Sequence, residues 1–250
     1  MKRKTWLAAL FALLALPCAA AESPDHAQTI SLDANPSTGY AWTGVVLTGS
    51  AVSLDSAAGV FVPDAQDEPL TGAGGQTQYV LTAVRPGESV VVFEYARPWE
   101  DAPAERRVLL AVVDEALQLT LTDVTDAGQT VSFAEATGLD AFLLGVTEDN
   151  PIVSVSFTEG QSTLEPERVT DAPEEIRAIL DAALAMRIGS FSAIQVTDWD
   201  PRLRMTCADG QSWSAAFNGH WLVKSGVNCN LVGDGPFWQL LSKLRRTGNE

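Results

Sequence analysis

From Thr29 to Val113 apolar and polar residues alternate or fall into short runs, and no stretch holds a 3.6-residue period. Thr29–Leu32 alternates. Ala41–Leu47 and Val52–Val62 contain apolar runs broken by Gly, Ser and Asp. Thr77–Val84 is a strong strand pattern, followed by Ser89–Tyr95 and Arg107–Val113. Between two of these lies Arg85-Pro86-Gly87-Glu88, where Pro presets φ at the second turn position and Gly supplies a positive φ at the third. Six or seven short strands, with turn signals roughly every 8–12 residues, predict an all-β antiparallel sandwich over residues 22–114.

After Asp114 the pattern changes. Leu117, Leu119 and Leu121 alternate with polar residues, and Ile152–Phe157 reads as another strand. A helix is predicted from Asp171, a candidate N-cap with Glu174 three residues on, and carries Ile176, Ile179, Leu180, Ala183 and Leu184 on one face. Short strands follow at Ser190–Val196, Leu203–Cys207, Trp213–Phe217 and His220–Val223, with a hairpin signal at Asp209-Gly210. A last helix starts near Pro236, bears Phe237, Leu240, Leu241 and Leu244, and ends on Lys243, Arg245 and Arg246. Residues 115–250 are therefore expected to form a small α+β domain.

Composition narrows the function. The chain has 250 residues, 46% of them hydrophobic, and a net charge of −16. Phosphate recognition needs Lys and Arg, so nucleic acid is excluded as a partner, and a polybasic membrane surface with it. Residues 1–21 read as a signal peptide. Lys2, Arg3 and Lys4 precede the eleven apolar residues Trp6–Leu16, and Ala19-Ala20-Ala21 is a small-residue cleavage site. Cleavage after Ala21 takes the net charge to −19. Pro17 before Cys18 argues against lipid anchoring there. No later run is apolar for long enough to insert into a membrane. The expected location is periplasmic or secreted. In that oxidising setting Cys207 and Cys229, the two cysteines left, are expected to form a disulfide; two buried thiols are the alternative.

Three turn-rich segments lie between the predicted strands of the first half: Asn35-Pro36-Ser37-Thr38-Gly39-Tyr40-Ala41-Trp42, Thr71-Gly72-Ala73-Gly74-Gly75, and Ala96-Arg97-Pro98-Trp99-Glu100, with the motifs Asn35–Tyr40, Gly72–Gly75 and Arg97–Trp99 inside them. Singly, each has a plain reading, as a turn, a flexible glycine run and a rim tryptophan. In a sandwich, loops that join alternate strand pairs gather at one end. In this order, over roughly residues 25–114, they resemble the chagasin family of papain-like cysteine protease inhibitors, with Ser37 where the family more often has Thr. The Arg85-Pro86-Gly87-Glu88 turn is also similar. The resemblance implies an immunoglobulin-like sandwich that needs no cofactor. It implies a reversible, wedge-like complex in which the first loop enters the protease cleft and the other two clamp its sides. It assigns protease contact to Asn35, Pro36, Ser37, Thr38, Gly39, Tyr40, Gly72, Gly74, Gly75, Arg97, Pro98 and Trp99. Gly74 and Gly75 would let backbone approach the protease without a Cβ in the way, and Trp99 would be the large apolar anchor. All three motifs precede Asp114, so the second half is expected to be dispensable for inhibition.

No catalytic constellation competes well. Ser37 and Thr38 are not in a Gly-x-Ser-x-Gly elbow, and only His26 and His220 are available as imidazole bases. His220 with Cys207, Cys229, Asp198 and Asp209 would be an irregular Cys/His set without the usual zinc spacing. Trp199, Trp213, Trp221 and Trp238 read as core and rim aromatics, with ligand stacking as the alternative. The reading is a monomeric, non-enzymatic protease inhibitor. The alternatives are an exported module whose loops hold a non-protease partner, with the main activity in the second half, and a hydrolase built on that half.

Overall fold

The computed structural model describes residues 26–65, 72–100, 102–127, 130–158, 168–193, 201–225 and 227–246. The expected signal segment, Thr71, Asp198 and Trp199 lie outside them. The first eight strands are β1 (Ala27–Ala34), β2 (Ala41–Gly49), β3 (Val52–Leu54), β4 (Val60–Pro63), β5 (Gly75–Ala83), β6 (Gly87–Ala96), β7 (Glu105–Val113) and β8 (Leu119–Asp123). They make two antiparallel sheets. One has the order β1-β5-β3, with β4 also paired to β5; the other runs β2-β6-β7-β8. The alternation read in the sequence places Leu32, Trp42, Tyr79, Leu81, Val91, Phe93, Leu109 and Ala111 between the sheets. The broken runs of Val52–Val62 form two strands, β3 and β4, parted at Asp55, Ser56 and Gly59.

The alternating leucines after Asp114 belong to this sandwich. Leu117 takes a positive φ of 59°, and Asp114 Oδ1 accepts from the Ala116 and Gln118 amides. This tight turn sends β8 back along β7. The chain thus leaves the first sheet pair after Asp123, later than the change in pattern at Asp114 suggests.

The rest of the chain holds α1 (Phe133–Thr137), α2 (Leu139–Leu143), β9 (Ile152–Thr158), β10 (Arg168–Thr170), α3 (Pro173–Ala185), β11 (Arg187–Ala193), β12 (Arg202–Cys207), β13 (Ser212–Asn218), β14 (Trp221–Lys224), β15 (Val227–Val232), α4 (Gly235–Lys243) and β16 (Arg245–Arg246). Its strands form one sheet in the order β11-β15-β14-β13-β12-β9-β10-β16. The α1 start is a capping box. Ser132 Oγ accepts from the Glu135 amide while Glu135 Oε2 accepts from the Ser132 amide. Several details differ from expectation. The α3 N-cap is Ala172, not Asp171, because Pro173 fits the first helical turn and starts the helix there. Leu184 faces outward at 43% exposure. Arg245 and Arg246 lie beyond α4 and pair with β10 instead of closing the helix.

The expected disulfide is absent: Cys207 and Cys229 are both free and buried. Cys207 ends β12 and Cys229 lies on β15, with β13 and β14 between them. Three inter-strand steps are roughly 14 Å, twice the Cα separation a disulfide can span. Burial pushes the Cys229 thiol up to about 12.

The outer face of β2-β6-β7 is not left to solvent. Val45, Leu47, Val92 and Val108 are buried in one cluster with Phe133, Ile188, Phe191 and Leu231. The covalent order of the chain is thereby joined by a second, packed connection. Among the described residues, no helix is long and apolar enough to cross a membrane.

Candidate functional site

The first loop is a single 3-10 turn, Pro36–Thr38, between β1 and β2. Asn35 caps it: its Oδ1 accepts from the Ser37 amide at 3.1 Å and from the Ser37 hydroxyl. The Thr38 amide and hydroxyl both donate to the Asn35 carbonyl, at 3.1 and 2.6 Å. The Gly39 amide donates to the Pro36 carbonyl, and Gly39 leaves the turn at φ 82°, a left-handed conformation that a Cβ would strain. Pro36 removes a donor and fixes φ at the tip. Four successive residues are therefore held by one another, and Pro36, Ser37, Thr38 and Gly39 are all exposed.

The other two loops close on this turn. Asn35 Nδ2 donates to the Gly72 carbonyl at 3.3 Å. Arg97 Nε donates to the Thr38 carbonyl at 3.0 Å, and its guanidinium lies 4.2 Å over the Tyr40 ring. Trp99 is 71% exposed, yet its ring edge rests on Gly39, where an added Cβ would sit 3.2 Å from it. The three sequence motifs thus meet at one end of the sandwich, with Pro98 and Trp99 outermost.

Gly75 takes a different role from the one its motif suggests. It is buried as the first residue of β5, between Ala34 of β1 and Pro63 of β4. A Cβ there would lie 2.3 Å from the Val62 carbonyl oxygen. Its bare Cα accommodates this chain's own strand β4. Gly72 and the half-buried Gly74 remain at the loop surface.

Two residues, one at the end of the strand before the third segment and one closing that segment, support the loops in a way the sequence does not mark. Tyr95 stands opposite Trp42 across β2 and β6. Its ring stacks on Tyr40 and on Trp42, at 5.2 and 5.0 Å between centroids, and its hydroxyl accepts from the Asn35 amide at 2.9 Å. Glu100 receives both the Arg97 guanidinium at 3.0 Å and the Tyr40 hydroxyl at 2.9 Å. That carboxylate holds the Tyr40 phenol above its usual pKa. The result is a stack, from Arg97 through Tyr40 and Tyr95 to Trp42, that ties the loops to the sandwich core. Cross-strand aromatic pairing was the available clue, but it needs the register of β2 against β6.

Residues 23–112 match the chagasin family of peptidase inhibitors, I42. Through this part, the chain belongs to the chagasin family. Two of the solved structures similar to it are the cysteine protease inhibitor EhICP2 and Amebosin. The cysteine protease inhibitor EhICP2 from Entamoeba histolytica is 27% identical, over 34% of this chain and 77% of that one, with a TM-score of 0.27. Amebosin is 33% identical, over 34% of this chain and 74% of that one, with a TM-score of 0.25. No curated protein matches the chain. Chagasin-family proteins are peptidase inhibitors, not enzymes.

Elsewhere in the chain, His26 Nδ1 lies 3.1 Å from the Leu117 carbonyl and His220 stacks on Trp238 at 4.7 Å. Trp213 is buried, and Trp221 is 38% exposed. Among the described residues no group of three or more His, Cys, Asp and Glu side chains could hold a metal ion.

Proposed function

We propose that the loop end of the chagasin domain is a reversible inhibitory surface for a papain-like cysteine protease. The Pro36–Thr38 turn enters the active-site cleft, the Gly72–Gly74 loop lies along one wall and Arg97–Trp99 along the other. The observation that carries this reading is the mutual bonding of the three motifs. Asn35 reaches Gly72, Arg97 reaches Thr38, and Trp99 rests on Gly39. Such a surface is ordered before it meets its partner, so little conformational entropy is lost on binding. The turn also suits an inhibitor rather than a substrate. Its carbonyls at Asn35 and Pro36 already accept bonds within the turn, and a 3-10 bend does not offer the extended backbone that a protease cleaves. Ser37 and Thr38, at the tip, would stand nearest the catalytic thiolate. Membership of a family of peptidase inhibitors supports the same partner class.

The protein works without a cofactor, as an exported monomer in the periplasm or beyond the cell, after cleavage at Ala21. The test is inhibition of papain by the chain from Glu22 onward, with a fluorogenic substrate and with an active-site-directed thiol reagent. Competition with both is expected. Full labelling of the papain thiol in the presence of saturating protein would overturn the cleft assignment. An intact mass beginning at Glu22 from exported material checks the export step, and a lipid adduct on Cys18 would contradict it.

A further inference from the structure

The third loop hangs between the end of β6 and the start of β7, and its base is closed by the Ala104 amide donating to the Tyr95 carbonyl at 2.8 Å. Just inside that base, on the opposite face of β6 from Tyr95, is Glu94. Its side chain is 1% exposed. It follows Val90 and Val92 on the outer face of β6. Its Oε2 accepts from the Phe191 amide of β11 at 2.7 Å. Its Oε1 lies 3.7 Å from Nη1 of Arg106, its register partner on β7, but has no hydrogen bond among the described residues. The Arg106 guanidinium in turn lies 5.8 Å over the Phe191 ring.

A carboxylate taken out of water with one acceptor unfilled is a poor way to gain stability, and an apolar pair of similar size in place of Glu94 and Arg106 would pack there at lower cost. What an apolar residue would not supply is direction. The Glu94–Phe191 bond fixes the end of β6 against β11 at one point. One peptide later, Tyr95 accepts the Asn35 amide and stacks under Tyr40.

We propose that residues 115–250 brace the inhibitory loops, with Glu94 as the positioning residue that passes the constraint from Phe191 through Tyr95 to the first and third loops. This rests on the function proposed above and reverses the expectation that the second half is dispensable.

The experiment uses the full mature chain, with Glu94→Leu and Glu94→Gln. Glu94→Leu fills the space without an acceptor, and Glu94→Gln keeps an acceptor for the Phe191 amide. Inhibition of papain, melting temperature and amide exchange over residues 95–104 are measured on each. Glu94→Leu is expected to weaken inhibition about 3- to 30-fold and to speed exchange in the loop by more than its fall in melting temperature accounts for, a fall that follows from the Phe191 amide and Arg106 losing their partner. Glu94→Gln should restore both to near the parent values. A purely structural role would instead make inhibition follow melting temperature. Unchanged inhibition and unchanged loop exchange in Glu94→Leu would overturn the brace. If the parent chain itself fails to inhibit papain, the functional reading falls, and the exchange measurement still decides whether Glu94 orders the loop.

Discussion

Trp99 is 71% exposed and touches its own chain mainly along Gly39 and the Arg97 guanidinium. Little of the fold depends on it, so Trp99→Ala should leave the melting temperature within a degree or two of the parent. At an interface the same ring would be a large rigid anchor, and its loss should weaken protease inhibition by ~2–4 kcal/mol, roughly 30- to 1,000-fold. A fall in stability with unchanged inhibition would place the ring's role in the sandwich. Gly75 makes the opposite case. Its added Cβ would meet backbone, the Val62 carbonyl at 2.3 Å and Pro63 Cα at 2.7 Å, and backbone in a paired strand cannot step aside as a side-chain tip can. Gly75→Ala should therefore cost about 1–3 kcal/mol of stability by forcing β4 from β5. Thermal melts of the two variants side by side separate a contact residue from a fold residue within one set of motifs.

At the scale of elements, the sandwich strands were legible because each buries one face, so that a period of two is written along Thr77–Val84 and Arg107–Val113. The meeting of three loops was legible from their order, and the motif residues carried the family. What pairs across space was not. Tyr95 and Glu100 support the loops through contacts with Trp42, Tyr40 and Arg97, and no local pattern marks a residue whose partner is fixed by strand register. Strand β15 was missed for a related reason. Val227-Asn228-Cys229-Asn230-Leu231 places asparagines among apolar residues, and Asn228 is itself buried, near the Asn218 side chain at 3.4 Å. The cysteine pair failed most plainly, since counting thiols says nothing of the two strands that separate them. The resulting prediction is direct. Native protein should resist thiol reagents, because Cys229 is buried with a thiol pushed up to about 12. The denatured, unreduced protein should label at both cysteines. Absence of label after denaturation would mean that they are bonded to each other or to another group.

At the scale of the whole molecule, the family match ends at residue 112, but the packing does not. A fragment of residues 22–115 contains every motif residue yet lacks β8, which pairs with β7 from Leu109 to Val113. It would also uncover Val45, Leu47, Val92 and Val108, four side chains buried against the second half. Exposing a Val or Leu of this kind costs ~1.5–3 kcal/mol each, a sum comparable with the net stability of a small domain. The fragment is therefore expected to self-associate on size-exclusion chromatography and to melt well below the full chain. Extending it to Val124 should restore the β7 edge but not the outer face. Replacing the four residues by Thr in the extended fragment keeps β propensity while making that face polar, and should return a soluble monomer. A native 22–115 fragment that runs as a stable monomer would show that the outer face tolerates water. If the Thr-substituted fragment then inhibits papain less well than the full chain, its fold intact, the missing affinity belongs to the second half and not to loss of the sandwich, and Glu94→Leu in the full chain shows how much of it passes through Glu94.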